Sequence, residues 1–212
     1  MTAPRRALIL IDVQLTYFDG PLEIQYPTHS DSLPEILRAI DAANAAGIPV
    51  VAVQHTMGEG APVFDATTAA FALHPEIEAH RKGAWKSVVK EYSSVYAHTD
   101  VATWLREQDV DTVTLVGHMT NNCILASAVE GEGLGFTTEV LRDATGAIHL
   151  ANEAGSVTAE TVHTTLMTLL NSNFAAVGST AAWLEALSSG EALSGSDLVS
   201  SAIQGAQEAQ TA

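Results

Sequence analysis

The sequence predicts a single α/β domain of three layers, in which helices cover both faces of a mostly parallel six-stranded sheet. Its 212 residues, 47% of them apolar, are enough for one sizeable core. Short apolar runs alternate with amphipathic helical patterns, as in folds built from βαβ units with right-handed crossovers. The first run, residues 7–11, contains no polar side chain, which is typical of a strand buried on both faces.

The strands are predicted where apolar runs are bounded by glycine or polar residues. They cover residues 7–11, 48–53, 87–90, 112–116, 136–141 and 174–177. The first helix shows the signals used: Ser32 can cap its N-terminus, Pro34 suits its first turn, and Gly47 can end it. The other helices are predicted over residues 99–108, 121–130, 156–170 and 180–187.

Two segments lack a regular pattern. Residues 58–83 are predicted to form a long loop with one helical turn at most, and loops of this length in compact domains are often functional. From Ser188 the composition shifts to Ser, Gly, Ala and Gln. We therefore expect one domain over residues 1–187 and a C-terminal tail over residues 188–212 that is mobile or weakly helical around 198–203.

The bulk properties narrow the class of partner and the compartment. A formal net charge of −16 argues against nucleic acid, polyphosphate or anionic membranes as partners. The single cysteine excludes an intramolecular disulfide, which suits a reducing cytoplasm. The apolar run at residues 7–11 ends at Asp12 and is too short for a signal-peptide core or a membrane span. We expect a cytoplasmic protein.

Cys123 follows a predicted strand, a glycine and a short polar turn, and it opens a predicted helix. Free backbone N–H groups and the helix dipole at such a position favour the thiolate and should lower the pKa of the thiol. The alternative is that Cys123 is a small buried hydrophobic residue of the core.

Three polar residues are predicted at the carboxyl ends of strands. Asp12 follows the first strand, Lys90 ends the third, and Cys123 lies just beyond the fourth. In a parallel sheet these ends meet at one edge, where such proteins bind ligands. A carboxylate, an ammonium and a thiol together form a nucleophilic set, in which Asp12 takes the thiol proton and Lys90 stabilises the thiolate. Singly, each residue could be a turn cap, a solvated strand end or a core residue.

Three segments of the chain match a known pattern. They are residues 7–18 (ALILIDVQLTYF), 89–99 (VKEYSSVYAHT) and 117–123 (GHMTNNC). In this order and spacing, the sequence resembles the isochorismatase-like cysteine hydrolases over residues 5–187. The resemblance implies their Rossmann-like topology and homo-oligomeric assembly, as a dimer or tetramer.

The resemblance also implies a mechanism. Asp12, Lys90 and Cys123 match the catalytic triad of the family, and the bond between His118 and Met119 matches its non-proline cis peptide. The backbone N–H groups of Met119 and Cys123 would form the oxyanion hole. The implied reaction is hydrolysis of an amide-type C–N bond in a small amide, carbamoyl, ureido or lactam compound through a thioester.

The resemblance implies that further residues bind the substrate. We expect neither a metal nor a cofactor. The candidates for substrate binding are Gln14, Phe18, His55, Trp85, Tyr92, His118 and Asn122. Nicotinamidases of the family carry an Asp-x-His metal motif after the second strand, where this chain has Gln54-His55-Thr56. Three alternatives stay open: a family hydrolase of a non-amide substrate, a redox-active thiol, and a non-catalytic member of the fold.

Overall fold

The computed structural model of the chain describes residues 3–211 and has one central sheet of six strands. Its strands are β1 (Arg6–Ile11), β2 (Val50–His55), β3 (Lys86–Lys90), β4 (Thr112–His118), β5 (Thr137–Gly146) and β8 (Ala176–Gly178). The spatial order is β3-β2-β1-β4-β5-β8, and every neighbouring pair is parallel. Two short strands, β6 (Leu150–Asn152) and β7 (Gly155–Val157), form a separate antiparallel hairpin. The predicted fold class is confirmed.

Helices cover both faces of this sheet. They are α1 (His29–Ala46), α2 (Pro75–His80), α3 (Val101–Glu107), α4 (Leu125–Gly133), α5 (Ala159–Asn173), α6 (Thr180–Ser189) and α7 (Leu198–Ala209). Side chains of α3, α4 and α5 belong to one buried cluster, and side chains of α1, α2 and α6 belong to the other. Within residues 3–211, none of the helices combines the length and the apolar character needed to cross a bilayer.

Strand β1 is the centre of the molecule, and it explains where a site can form. Ile9 and Ile11 pack into one cluster and Leu8 and Leu10 into the other, so the strand is buried on both faces. Its neighbours are β2 on one side and β4 on the other. The chain runs outward from β1 through β2 to β3 and then continues on the other side of β1 through β4, so the strand order reverses between β1 and β4. The carboxyl ends of β1 and β4 therefore flank the crevice in which ligands bind in open α/β sheets.

Several element bounds differ from the predicted ones. Helix α1 begins at His29, because Thr28 has the extended backbone of an N-cap, while the Ser32 hydroxyl donates a hydrogen bond back to the Thr28 carbonyl inside the helix. Strand β5 continues beyond Leu141 to Gly146, with a register shift against β4. The hairpin β6–β7 was not predicted, because its exposed residues show no apolar alternation.

The C-terminal segment is attached to the sheet by buried polar contacts. The Leu193 side chain is buried against the second cluster, and its N–H donates a hydrogen bond of 3.2 Å to Glu139 Oε1. Arg6 Nη2 donates a bond of 2.6 Å to the Glu191 carbonyl. Helix α7 follows and packs beside α5. Residues 191–193 are therefore part of the packed structure.

Glu139 is the buried carboxylate that organises this end of the sheet. Its oxygens form an ion pair with Arg6 at 2.9 Å, and both side chains are 2% exposed. Thr114 Oγ1 at 2.8 Å and Trp183 Nε1 at 3.0 Å donate hydrogen bonds to the same carboxylate. The charge is thus fully partnered, which is the condition for burying it without a large loss of stability.

Replacing Glu139→Gln should destabilise the fold strongly, because it leaves the buried Arg6 guanidinium without its counter-charge. We expect the free energy of unfolding, measured by urea titration, to fall by about 3–5 kcal/mol. The control is Glu78→Gln, which removes a solvent-exposed ion pair with Arg81 and should cost less than about 1 kcal/mol. Equal losses in the two variants would contradict the role assigned to Glu139.

Candidate active site

Three strand ends bring Asp12, Lys90 and Cys123 together at the carboxyl edge of the sheet. Asp12 directly follows β1, Lys90 is the last residue of β3, and Cys123 lies in a single π-helical turn, Thr120–Ile124, between β4 and α4. Lys90 Nζ lies 2.8 Å from Asp12 Oδ2 and 3.2 Å from Cys123 Sγ. The three groups that the sequence predicts to converge are in contact.

Lys90 has a third partner in His55. The two residues are paired in register between β2 and β3, and Lys90 Nζ lies 3.2 Å from His55 Nδ1. A lysine ammonium has three N–H donors and no acceptor. Its three donors are therefore matched by a carboxylate, a sulfur and an imidazole nitrogen. Because Nδ1 must accept, the His55 ring is neutral and carries its proton on Nε2.

The electrostatics of the site differ from the sequence-based expectation for Cys123. Burial, together with the charge of Asp12, raises the pKa of the Cys123 thiol to about 12, against the lowering effect of Lys90. The expected lowering by a helix N-terminus does not occur, because the sulfur is 1% exposed and faces a carboxylate. Burial also raises the pKa of Asp12, against the effect of Lys90.

The buried charges allow the thiol to be activated internally. At rest the site holds a neutral thiol beside one ammonium and one carboxylate, whose side chains are fully buried. Transfer of the thiol proton to Asp12 replaces the carboxylate by a thiolate next to the same Lys90 ammonium. The net charge of the three groups does not change, so the thiolate forms without an additional buried charge.

The turn before Cys123 contains a backbone donor without a partner among the described residues. The peptide bond between His118 and Met119 is cis, and within residues 3–211 the Met119 N–H has no hydrogen-bond partner. Gly117 has a φ of +106°, and a Cβ at this position would lie 2.1 Å from the Ile11 carbonyl oxygen. Only glycine fits where β4 passes β1 this closely.

The residues predicted to bind substrate are divided between the site and other places. Gln14 is committed to the backbone: its side-chain amide donates to the His55 and Phe71 carbonyls and accepts from the His55 N–H. Tyr92 is 49% exposed and stacks on His98 at 4.6 Å between ring centroids. Asn122 is half-buried in the turn of the nucleophile.

The predicted role of Trp85 in substrate binding does not fit the structure. Trp85 precedes β3 and therefore lies at the amino end of the strand, opposite Lys90. Its indole N–H donates to Asn44 Oδ1 at 3.4 Å, and the Arg81 guanidinium lies over its ring. The sequence places an aromatic residue near the third strand, but only the strand direction decides which edge it reaches. We exclude Trp85 from the site.

Part of the predicted long loop covers the site. Phe64 packs against the rings of Tyr17 at 5.4 Å and His55 at 4.9 Å. The Phe71 carbonyl accepts hydrogen bonds from the side-chain amides of Gln14 and Gln54. Residues 56–74, which we call the cover segment, therefore close over the triad.

Tyr17 also belongs to the site. It ends a short 3-10 turn, Leu15–Tyr17, that returns the chain to the sheet edge. Burial raises the pKa of its phenol well above the ordinary value, and the charges of Asp12 and Cys123 raise it further. The hydroxyl therefore stays protonated as a donor near the reacting groups. The aromatic pair at 17 and 18 after Asp12 was the available signal.

The histidines do not assemble into a metal centre. Within the described residues, there is no group of three or more His, Cys, Asp or Glu side chains with the geometry to hold a metal ion. His55, the histidine of the segment where nicotinamidases carry their motif, uses Nδ1 to accept from Lys90.

Comparison with known proteins gives a consistent result. The family model of the isochorismatase domain matches residues 6–182. The crystal structure of a candidate isochorismatase from Burkholderia xenovorans LB400 is 39% identical over 100% of both chains, with a TM-score of 0.94. A cysteine hydrolase from Pseudomonas syringae pv. phaseolicola is 25% identical over 88% of this chain and 93% of its own, with a TM-score of 0.77. Maleamate amidohydrolase from Pseudomonas putida is 45% identical over 60 residues, 28% of each chain.

Substitutions of the two charged neighbours should shift the reactivity of Cys123 in opposite directions. Asp12→Asn removes the charge that raises the thiol pKa, so its alkylation by iodoacetamide at pH 8 should accelerate about tenfold or more. Lys90→Met removes the stabilising cation and should slow the reaction. The measurement is the alkylation rate against pH, followed by intact mass. A shift in the same direction for both variants would contradict the arrangement described.

Proposed function

The chain belongs to the isochorismatase family, and from that premise we propose that it is a cysteine hydrolase that cleaves an amide-type C–N bond in a small molecule. The observation that carries the proposal is the position of Lys90 Nζ, within 3.2 Å of Cys123 Sγ and 2.8 Å of Asp12 Oδ2. A nucleophile, a proton acceptor and a cation in direct contact are the parts that acyl transfer to sulfur requires. Amide, carbamoyl, ureido and lactam compounds are the candidate substrates.

In the first half of the proposed reaction, Asp12 removes the thiol proton and the Cys123 sulfur attacks the substrate carbonyl carbon. The electron pair of the C=O bond moves to oxygen, which accepts hydrogen bonds from the N–H groups of Met119 and Cys123. Each such donor contributes about 3 kcal/mol to transition-state stabilisation. Asp12 then gives its proton to the nitrogen, the C–N bond breaks, and ammonia or an amine leaves a thioester on Cys123.

In the second half, Asp12 acts as a base towards water. It takes one proton while the water oxygen attacks the thioester carbonyl, and the same two N–H groups bind the oxyanion. The C–S bond breaks with its electron pair on sulfur, and Asp12 returns the proton to the thiolate. The product is a carboxylic acid, and the resting site is restored. Lys90 stays charged throughout and stabilises whichever neighbour carries the negative charge.

A relative supports C–N cleavage over the other chemistry of the family. Maleamate amidohydrolase, by its name, hydrolyses an amide, and it is 45% identical in the matched segment. Isochorismate-type cleavage does not require a cysteine nucleophile, whereas this chain keeps a thiol in contact with a lysine and an aspartate. A redox role for Cys123 is disfavoured, because sensor thiols are accessible and have a lowered pKa, whereas this one is buried with a raised pKa.

Substitution of the triad should abolish hydrolysis while leaving the fold intact. We expect Cys123→Ala to release no ammonia from a panel of small amides and Asp12→Asn to lose at least about a thousandfold in rate, since both proton transfers fail. Wild-type protein quenched during turnover should show an acyl adduct on Cys123 by intact mass.

The matched control for Asp12 is Asp109→Asn. Asp109 shares the left-handed backbone of Asp12, with φ values of 56° and 50°, but is exposed to solvent. Its substitution should leave the rate unchanged. Undiminished hydrolysis by Cys123→Ala would end the proposal of a thioester mechanism.

Removal of divalent metals should leave the activity intact. The position of the nicotinamidase metal motif holds Gln54-His55-Thr56, and the ring of His55 is engaged by Lys90. We expect dialysis against EDTA to leave the rate of ammonia release unchanged. Loss of activity that Zn²⁺ or Mn²⁺ restores would show that a metal takes part.

A further inference from the structure

His118 is a buried imidazole that the proposed reaction does not use. Its side chain is fully buried, and within residues 3–211 neither ring nitrogen has a hydrogen-bond partner. Its neighbours are the rings of Tyr17, at 5.5 Å, and Phe18, at 5.8 Å between centroids. Leaving a polar group buried without a partner costs stability, and an apolar ring would fill the same space without that cost. The imidazole is therefore suited to a partner that arrives with the substrate.

His118 is adjacent in sequence to the residue whose N–H is proposed to bind the reacting carbonyl oxygen. His118 directly precedes Met119, whose free N–H is the proposed oxyanion donor. The Tyr17 ring contacts the His118 ring, and the charges of Asp12 and Cys123 raise the pKa of its phenol. A small acyl group attached to Cys123, with its oxygen at Met119, would thus extend towards His118 and the Tyr17 hydroxyl.

The groups around His118 favour a negative charge on that acyl group. Phe18 contacts three imidazoles: those of His29 at 5.2 Å, His74 at 4.4 Å and His118. We call these three rings the histidine cluster. Burial, with a smaller effect of His29, lowers the pKa of His118 to about 3, so the free ring is neutral and offers one N–H donor.

The acidic groups that face the histidine cluster have other partners. Glu23 Oε1 lies 3.3 Å from His29 Nε2, and Asp12 is paired with Lys90 beyond Tyr17. Glu76 follows His74 in the first turn of α2, where its charge favours the helix N-terminus. The rings of the cluster can gain positive charge but no negative charge. An incoming carboxylate would accept hydrogen bonds from His118 and Tyr17. Protonation of any of the three histidines would make the electrostatic potential at this carboxylate more positive.

We propose that His118 is the specificity residue of this site and that the substrate is an acid amide, whose acyl group carries a carboxylate that hydrogen-bonds to the His118 imidazole. This inference rests on the proposed function and adds the class of acyl group to it. The half-buried rings of Phe18, His29 and His74 connect the surface with the buried ring of His118.

The test compares monoamides of short dicarboxylic acids with their neutral diamides, which differ only in the distal group. We expect the wild-type protein to hydrolyse the monoamide with a kcat/KM about 10- to 100-fold higher than the diamide, and His118→Asn to reduce this ratio below about threefold. His118→Phe keeps the ring shape and gives the same prediction if the asparagine variant does not fold. His80→Asn, at the end of α2, is the control and should keep the wild-type ratio.

A binding measurement separates this proposal from the proposed function. Calorimetry on Cys123→Ala protein should give tighter binding of the monoamide than of the diamide, with the preference lost in the double variant that also carries His118→Asn. This result would support the carboxylate site even if no amide were hydrolysed. Hydrolysis of diamides through an acyl-Cys123 adduct, without a preference for monoamides, would leave the proposed function standing and overturn this inference. A preference that survives both His118 variants would overturn it as well.

Discussion

The contact of one buried ammonium with three acceptors is the constraint on which the candidate site depends. Lys90 lies among a carboxylate, a thiol and an imidazole, each within 3.2 Å of Nζ. A buried lysine is tolerated only when its charge and its donors are matched. The strand order meets this requirement, because the carboxyl ends of β3, β2, β1 and β4 follow one another along one edge of the sheet. The contacts of Lys90 at the edge of the sheet therefore depend on the order of its strands.

The parts of the molecule that could be predicted from the sequence are those set by local pattern and strand direction. The family and the parallel sheet are confirmed. The sheet could be predicted because continuous apolar runs such as residues 7–11 have few alternatives to a strand buried on both faces. The meeting of Asp12, Lys90 and Cys123 followed from their positions at strand ends. The predicted N-cap of α1, Ser32, lies four residues after the observed one, Thr28, because Ser32 looks like a cap in the sequence but bonds within the helix.

The parts that could not be predicted depend on which groups surround a residue in three dimensions. A helix N-terminus lowers the pKa of a thiol only where solvent and neighbours permit it, and for Cys123 burial and Asp12 outweigh it. Trp85 has the composition of a pocket residue but lies at the wrong end of β3. Tyr17 and the cover segment have no periodic signal at all. The cover segment is held at the site by hydrogen bonds from side chains that are distant in sequence, such as those that the Gln14 and Gln54 amides donate to the Phe71 carbonyl.

The anchoring of residues 191–193 by Arg6 and Glu139 has a consequence for the boundaries of the folding unit. The family match ends at residue 182, so a shortened chain designed from that match alone would omit this anchor. In such a chain Arg6 would lose an acceptor, Glu139 would lose the two donors Trp183 Nε1 and Leu193 N–H, and the apolar surface beneath Leu193 would face water. Low solubility of that fragment would then reflect a misplaced boundary. A fragment that ends beyond residue 195 would retain Leu193 and the contacts of residues 191–193.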